Sequence, residues 1–137
     1  MSDRRVVFDA SAVIAWTLNE RGAATVDRLL PFAVIPAPNL TEALHISRRR
    51  GHRLTSDQLR ARVLAIGAEV EPFTGDDTVR AAEWLTYIDD NPQPGGDRLS
   101  LGDALCIAVA ERLQLPLVGD DGLWSILPLA VAFHAFR

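Results

Sequence analysis

The stretch "LPLVGDDGLW", residues 115–124, joins an apolar run to a glycine, two adjacent aspartates and a large aromatic residue. The apolar run is typical of a buried strand, and the change of composition at Gly119 marks the carboxyl end of that strand. In a parallel α/β sheet, the carboxyl ends of the strands carry the functional side chains. Asp120 and Asp121 therefore form either a solvated turn or part of a metal site.

Short strand-like segments alternate along the chain with helical segments. Parallel strands need crossover connections, so this alternation predicts an α/β fold in which a parallel β-sheet is flanked by α-helices, an α/β/α sandwich. We predict strands at residues 6–8, 33–35, 70–73, 115–118 and 131–133. We predict helices at residues 12–18, 23–30, 40–50, 56–67, 76–88, 101–113 and 122–126, and a Pro- and Gly-rich surface loop at 89–98.

Length and composition predict a single domain over residues 1–137. A chain of 137 residues with 48% hydrophobic composition is long enough for one core and short for two. With 14 basic and 18 acidic residues the net charge is −4, which excludes a broad cationic surface. One cysteine, no signal-peptide pattern and no apolar run of about 18 residues predict a cytoplasmic protein without a membrane span.

Two acidic residues near the start of the chain each fit both a structural and a chemical role. Asp9, in "VVFDASAVIAW", follows the first predicted strand, where an aspartate either caps the next helix or binds a metal. Asn39 and Glu42 have the spacing of a helix-capping box. The same spacing at Thr55 and Gln58 accompanies no sign of chemistry. Taken alone, Glu42 is therefore more often a cap.

Asp103 lies in the segment "LSLGDALCIAVAERL", residues 99–113, which is apolar on nearly every side from Leu101 to Ala110. A helix with that pattern is buried, and neither Lys nor Arg lies one turn beyond Asp103 to compensate its charge. An uncompensated buried carboxylate has a raised pKa or destabilises the fold. For Asp103 the metal interpretation is therefore favoured over the cap, although Ser100 has the spacing of a capping partner.

Carboxylates that follow strands and open helices can meet at one edge of a parallel sheet. Such hard oxygen ligands suit Mg²⁺ or Mn²⁺ better than Zn²⁺. His45, His52 and His134 lack paired metal-ligand spacing, and the sequence contains no P-loop, dinucleotide-binding glycine motif or nucleophile elbow. The residues therefore favour either metal-assisted chemistry or no chemistry.

Four segments together resemble the PIN-domain family and, within it, the VapC-type ribonuclease toxins of bacterial and archaeal toxin–antitoxin pairs. They are "VVFDASAVIAW", "NLTEAL", "LSLGDALCIAVA" and "LPLVGDDGLW", at residues 6–16, 39–44, 99–110 and 115–124. The resemblance implies a PIN-like fold and a Mg²⁺- or Mn²⁺-dependent endoribonuclease that leaves a 5′-phosphate and a 3′-hydroxyl. It also implies a homodimer and a cognate VapB-type antitoxin.

The resemblance assigns the family's four acids, in chain order, to Asp9, Glu42, Asp103 and Asp121. The fourth acid usually closes a Ser/Thr-x-Asp triplet three residues before an aromatic residue, and Trp124 therefore selects Asp121. Gly119 stands where the triplet has its hydroxyl, a departure that makes Asp120 an additional candidate ligand.

By this assignment, Asp9 and Asp103 hold the main ion, Glu42 completes the site or orients water, and Asp121 helps to hold that ion or a second one. Two other functions stay open. One alternative is a housekeeping PIN nuclease of RNA processing, and the other is a catalytically silent α/β binding module that keeps the acids as caps.

RNA is a polyanion, so a protein of negative net charge binds it through a local cluster of cations. The segment "SRRRGHR", residues 47–53, is the candidate, and we predict RNA binding by Arg48, Arg49, Arg50 and Arg53. The alternative is a solvated basic helix end that complements the helix dipole. Apolar surface at Trp16 and Leu18 would serve the dimer or the antitoxin, unless Trp16 is part of the core.

Overall fold

In the computed structural model, which describes residues 3–137, the strands form one five-stranded sheet. Their bounds are Val6–Phe8 (β1), Ala33–Pro36 (β2), Glu69–Glu71 (β3), Leu117–Gly119 (β4) and Phe133–Ala135 (β5). The order across the sheet is β3-β2-β1-β4-β5, and every neighbouring pair is parallel. The predicted parallel α/β fold is confirmed.

Helices cover both faces of this sheet. Within residues 3–137 the α-helices are Ala10–Thr17 (α1), Ala23–Leu29 (α2), Ala37–Arg49 (α3), Ser56–Ala65 (α4), Gly75–Asp90 (α5) and Leu101–Leu113 (α6). Successive strand residues face opposite sides of a sheet. Val7 and Leu117 accordingly pack with the apolar residues of α5 and α6, whereas Phe8 and Val118 pack with those of α1 and α3.

The order of the strands reverses beside β1. From β1 the chain continues to β2 and β3 on one side, and later fills the other side with β4 and β5. A parallel sheet forms a crevice at such a reversal, outside the carboxyl ends of the two strands concerned. Asp9 follows β1 and Asp120 follows β4, so both residues stand at this crevice.

Helix α3 begins at Ala37, three residues before the start predicted from sequence. Pro38 lies in its first turn, where a missing N–H costs no helical hydrogen bond and the fixed φ suits the helix. Asn39 therefore lies inside the helix, and no side chain caps the helix's amino end. The capping box suggested by the spacing of Asn39 and Glu42 is absent from the described chain.

Helix α6 is buried, as its apolar sequence predicts. Cys106, Ile107 and Ala110 are each 0% exposed. The Cys106 Sγ lies 3.7 Å from the carbonyl oxygen of Phe8 in β1, and burial raises the pKa of the thiol well above its ordinary value. Cys106 is therefore a packing residue rather than a nucleophile.

The loop predicted at residues 89–98 is shorter in the structure. Helix α5 continues to Asp90, and a 3₁₀ turn occupies Pro94–Gly96. Asn91 caps the carboxyl end of α5, and its Nδ2 donates to the carbonyl oxygen of Tyr87 at 2.9 Å. No helix within residues 3–137 has both the length and the apolar composition needed to cross a membrane.

Candidate metal centre

The acidic residues singled out in the sequence line one cavity at the carboxyl edge of the sheet. Its volume is about 160 Å³, which gives room for several water molecules. The segments that follow β1 and β4 supply three of the carboxylates, and α3 and α6 supply the other two. The five acids of this acidic cavity are Asp9, Glu42, Asp103, Asp120 and Asp121.

Asp9 is the most deeply buried of these acids, with 6% of its surface exposed. It caps α1 because its Oδ1 accepts a hydrogen bond from the Ala12 amide at 2.9 Å. The Ser11 hydroxyl lies 2.7 Å and 2.8 Å from the two carboxylate oxygens and donates to them. Burial raises the pKa of Asp9 to about 7, and the negative charges of Asp120 and Asp103 act in the same direction against these hydrogen bonds.

Gly119 is the last residue of β4, and its missing side chain makes room for Asp9. A Cβ placed there would lie 2.6 Å from the Asp9 Oδ2, closer than carbon and oxygen can approach without a shift. Position 119 has no hydroxyl, but Ser11 supplies one. Ser11 lies in the segment after β1, and its hydroxyl donates to Asp9. Sequence reasoning missed Ser11, although its place two residues after Asp9 was the available signal.

Asp103 lies in the first turn of α6 and takes part in a capping box. Its Oδ2 accepts from the Ser100 amide at 3.1 Å, and the Ser100 Oγ accepts from the Asp103 amide at 3.1 Å. Burial raises the pKa of Asp103, and the charges of Asp121 and Glu42 add to that rise. A carboxylate has two oxygens, so the cap occupies one of them and leaves the other for the cavity.

The two adjacent aspartates after β4 have different partners. Asp121 caps the 3₁₀ turn Gly122–Ile126, with its Oδ1 accepting from the Leu123 amide at 2.9 Å. Asp120 instead forms an ion pair with Arg137, whose Nε lies 3.0 Å from the Asp120 Oδ2. Arg137 also lies 3.4 Å from Glu20. The charge of Asp120 is thus compensated within the chain, whereas Asp121 forms no ion pair with any described residue.

Glu42 lies on α3 opposite the first turn of α6. Gly102 lets the two helices approach here, because a Cβ on that residue would lie 2.9 Å from the Glu42 Oε2. Glu42 is exposed and makes no side-chain hydrogen bond with the described residues. One turn earlier, Asn39 donates from its Nδ2 to the Gly102 carbonyl oxygen at 3.0 Å. The Asn39 Oδ1 is buried without a hydrogen-bond donor, an arrangement that costs about 1–3 kcal/mol.

The donor set of the acidic cavity fits a hydrated divalent cation. Asp9, Glu42, Asp103 and Asp121 form no ion pair within residues 3–137, and neighbouring carboxylates repel one another without a cation. No three Asp, Glu, His or Cys side chains of the described chain are gathered tightly enough to enclose a bare ion. Mg²⁺ keeps several of its waters and takes one or two carboxylates, so an open, oxygen-lined cavity suits it.

Comparison with known proteins identifies the family. Residues 6–124 match the sequence model described as the PIN domain. The chain belongs to the PIN-domain family. No curated protein sequence matches it.

Solved structures resemble this PIN domain over nearly its whole length. VapC20 of Mycobacterium tuberculosis, a Sarcin-Ricin loop cleaving toxin, has a TM-score of 0.69 at 21% identity and covers 91% of this chain and 96% of its own. A toxin–antitoxin complex from Klebsiella pneumoniae has a TM-score of 0.70 at 16% identity, covering 96% and 98%. VapBC2 of Rickettsia felis, bound to promoter DNA, has a TM-score of 0.69 at 15% identity, covering 95% and 97%. These likenesses are in the fold.

The arginines predicted to bind RNA lie outside the acidic cavity of the PIN domain. Arg49 follows Glu42 by seven residues on α3, which places it about 10 Å farther along the helix axis. Arg48 donates to the Leu54 carbonyl oxygen at 2.7 Å, and Arg50 pairs with Glu20 at 3.1 Å. All four arginines, Arg48, Arg49, Arg50 and Arg53, are exposed.

Trp16 is half-buried in the PIN domain, between the two alternatives considered from sequence. Its ring packs against the core that contains Phe8, and its Nε1 donates to Asp27 at 2.9 Å. Leu18 is also half-buried against this core. Of the described residues that line the acidic cavity, none is a histidine, and the His52 Nδ1 accepts a hydrogen bond from the Leu54 amide instead.

Proposed function

We propose that this PIN domain is a Mg²⁺- or Mn²⁺-dependent endoribonuclease that hydrolyses RNA phosphodiester bonds. One observation carries the proposal: four carboxylates without a cationic partner among the described residues share one cavity at the switch point of the sheet. They are Asp9, Glu42, Asp103 and Asp121. The membership of the chain in the PIN-domain family supports the same chemistry.

The proposed roles follow from the burial of each carboxylate, from its pKa and from the hydrogen bonds that its oxygens make. A divalent cation, when bound, supplies a water of lowered pKa and neutralises charge on the phosphate. Asp9 and Asp103, the acids with raised pKa values, gain most from a cation and would hold it. Glu42 has neither oxygen hydrogen-bonded within residues 3–137 and is free to orient the attacking water. Asp121, with one oxygen engaged by its cap, would complete the site.

We further propose that the enzyme is the toxin of a VapBC-type pair, acting in the cytoplasm as a homodimer and held inactive by a VapB-type antitoxin. The solved structures that share its fold support this assignment, since they include a Sarcin-Ricin loop cleaving toxin and toxin–antitoxin complexes. A housekeeping nuclease of RNA processing would share the cavity but would not arrest growth on expression.

Cleavage of a structured RNA tests the nuclease. Asp9→Asn and Asp103→Asn should each abolish Mg²⁺-dependent cleavage, because an amide cannot supply the negative charge that holds the cation. Asp57→Asn, an exposed acid in the first turn of α4, is the matched control and should cleave like the parent. Parent activity in Asp9→Asn or Asp103→Asn would refute the assigned site.

A catalytically silent binding module is the second candidate, since Asp9, Asp103 and Asp121 all serve as helix caps. Calorimetric titration of the full chain with Mn²⁺ separates the two. The nuclease should show a saturable site that Asp9→Asn weakens, whereas capping carboxylates alone should show none. Growth arrest on expression, relieved by a neighbouring gene and absent in Asp9→Asn, would then identify the toxin.

A further inference from the structure

Asn39 is a buried polar side chain on the wall of the acidic cavity. Only 2% of its surface is exposed, and it lines the cavity beside Glu42 and Asp103. Its Nδ2 donates to the Gly102 carbonyl oxygen at 3.0 Å. Its Oδ1 is buried and receives no hydrogen bond from the chain over the described residues.

The contact with Gly102 fixes which end of the amide is free. Rotating the amide by half a turn would oppose two acceptors, the Asn39 Oδ1 and the Gly102 carbonyl oxygen. The Nδ2 therefore belongs to Gly102, and the Oδ1 is the end that lacks a partner. Buried side-chain acceptors are nearly always paired, so this oxygen is a candidate acceptor for a donor that does not belong to the chain.

Asn39 also connects the two helices whose acids face each other across the cavity. It precedes Glu42 by three residues on α3, which puts both side chains on one face of that helix. Gly102, whose carbonyl oxygen accepts the hydrogen bond from Asn39, directly precedes Asp103 on α6. The amide thus links the helix that carries Glu42 to the helix that carries Asp103, at the wall of the cavity that both acids line.

The other groups lining the cavity offer no donor to this oxygen. The carboxylates only accept, Ile14 is apolar, and the Ser11 hydroxyl already donates to Asp9. A hydrated divalent cation among carboxylates carries water molecules whose hydrogens point outward as donors, and Mg²⁺ and Mn²⁺ take oxygen ligands.

We propose that Asn39 is a neutral member of the divalent-cation site, with its Nδ2 anchored to Gly102 and its Oδ1 accepting a hydrogen bond from water on the cation. This inference rests on the metal-dependent function proposed above. Asn39 is a positioning residue, because it acts through Glu42, Asp103 and the cation's water rather than on the reacting phosphate.

Calorimetric titration of the full chain with Mn²⁺, in the absence of RNA, tests the proposal. Asn39→Leu keeps the side-chain size and removes both polar groups, and we expect it to weaken Mn²⁺ binding about 10–100-fold, the usual effect of losing an outer partner of a metal site. Asn91→Leu is the matched control. Asn91 also donates to a backbone oxygen, that of Tyr87 at 2.9 Å, but lies at the exposed end of α5, so this variant should bind Mn²⁺ like the parent.

Asn39→Asp distinguishes the proposed contact of the Oδ1 with the cation's water from the hydrogen bond that joins α3 to Gly102 on α6. It restores an oxygen but cannot donate to Gly102, so it should lower the melting temperature of the metal-free protein and still bind Mn²⁺ more tightly than Asn39→Leu. Thr41→Asp, which adds a carboxylate on the exposed side of α3, controls for charge and should bind like the parent.

Three outcomes would overturn the inference: parent affinity in folded Asn39→Leu, affinity in Asn39→Asp no better than in Asn39→Leu, or a rise in affinity from parent to Thr41→Asp as large as the rise from Asn39→Leu to Asn39→Asp. Should Asn39→Leu fail to fold, Asn39→Ala, which also removes both polar groups, takes its place in each comparison. Failure of the proposed function has a separate signature, because the parent itself would then show no saturable Mn²⁺ binding.

Discussion

Gly119 sets the position of the Asp9 carboxylate, since a Cβ there would lie 2.6 Å from the Asp9 Oδ2. The family resemblance places a hydroxyl residue at this position, yet we expect Gly119→Ser to be harmful. The new side chain would push Asp9 from the cavity, weakening Mn²⁺ binding by about tenfold or more. Calorimetry and RNA cleavage would both report this weakening.

Gly75→Ser is the control for this substitution, because a Cβ at position 75 meets nothing within 4 Å. It should leave Mn²⁺ affinity and cleavage unchanged. Binding by Gly119→Ser as tight as that of the parent would show that Asp9 does not depend on the open space at Gly119.

Asp9 should also make the metal-free protein more stable in mild acid. Burial raises its folded-state pKa from 3.8 to about 7. Between those values the folded state keeps a proton that the unfolded state has released. The free energy of unfolding therefore falls as the pH rises, by up to about 1.4 kcal/mol per pH unit, and stops falling above the folded-state pKa.

Urea unfolding in the presence of a chelator, from pH 5 to pH 8, measures this dependence. The parent should lose more stability across the range than Asp9→Asn, whose amide does not titrate. Equal slopes for the two proteins would show that Asp9 is not the titrating group. Added Mn²⁺ should flatten the slope of the parent, because the bound carboxylate is already ionised.

The acids of the cavity could be predicted from the sequence, but the side chains that contact them were not. Asp9, Asp103 and Asp121 could be located because each stands at a strand end or a helix start, where the pattern changes. Arg137 could not be assigned, since its role depends on a side-chain contact made after folding, and Ser11 was missed although it stands only two residues after Asp9. Asn39 was misread as a cap because Pro38 moves the start of α3 upstream.

The predicted bounds are accurate for some helices and strands and displaced for others. The bounds of β1 and α6 agree with the prediction, at residues 6–8 and 101–113. Strands β3, β4 and β5 are each displaced by one to two residues from their predicted bounds. For β3 the pattern is weak, because this edge strand has an acid at each end. The order of the strands in the sheet could not be predicted from the sequence, since strands that pair lie far apart along the chain.

The segment after β4 is tied to the segment after β5 through Asp120 and Arg137. This ion pair explains which aspartate of the adjacent pair is free for a cation. We expect Asp120→Asn to bind Mn²⁺ much as the parent does and Asp121→Asn to bind it more weakly. Calorimetry with both variants checks this, and the reverse ranking would make Asp120 the ligand.

For the molecule as a whole, a net charge of −4 means that RNA binding depends on where the arginines lie. Arg49 and Arg53 are exposed, and neither forms an ion pair with any residue that the structure describes. Changing both to Glu should weaken RNA binding and reduce the salt dependence of the affinity. The log–log slope should fall by about 0.7 for each phosphate of a single strand that the variant no longer neutralises.

Arg60 and Arg62 provide the control, because they are exposed on α4 outside this cluster. Their change to Glu alters the net charge equally but should have less effect on RNA affinity. If the two double variants bound RNA equally weakly, binding would follow overall charge and the cluster at residues 48–53 would have no special role. Filter binding at several salt concentrations gives both quantities.

The capping bonds of Asp9, Asp103 and Asp121 have an evolutionary consequence. A descendant without catalytic activity would still be selected to keep these three acids, because each helps a helix or turn to begin. Glu42 caps nothing and its side chain makes no hydrogen bond within residues 3–137, so selection for folding alone would let it drift. Among relatives of this chain, the residue at the Glu42 position should therefore distinguish working nucleases from inactive descendants.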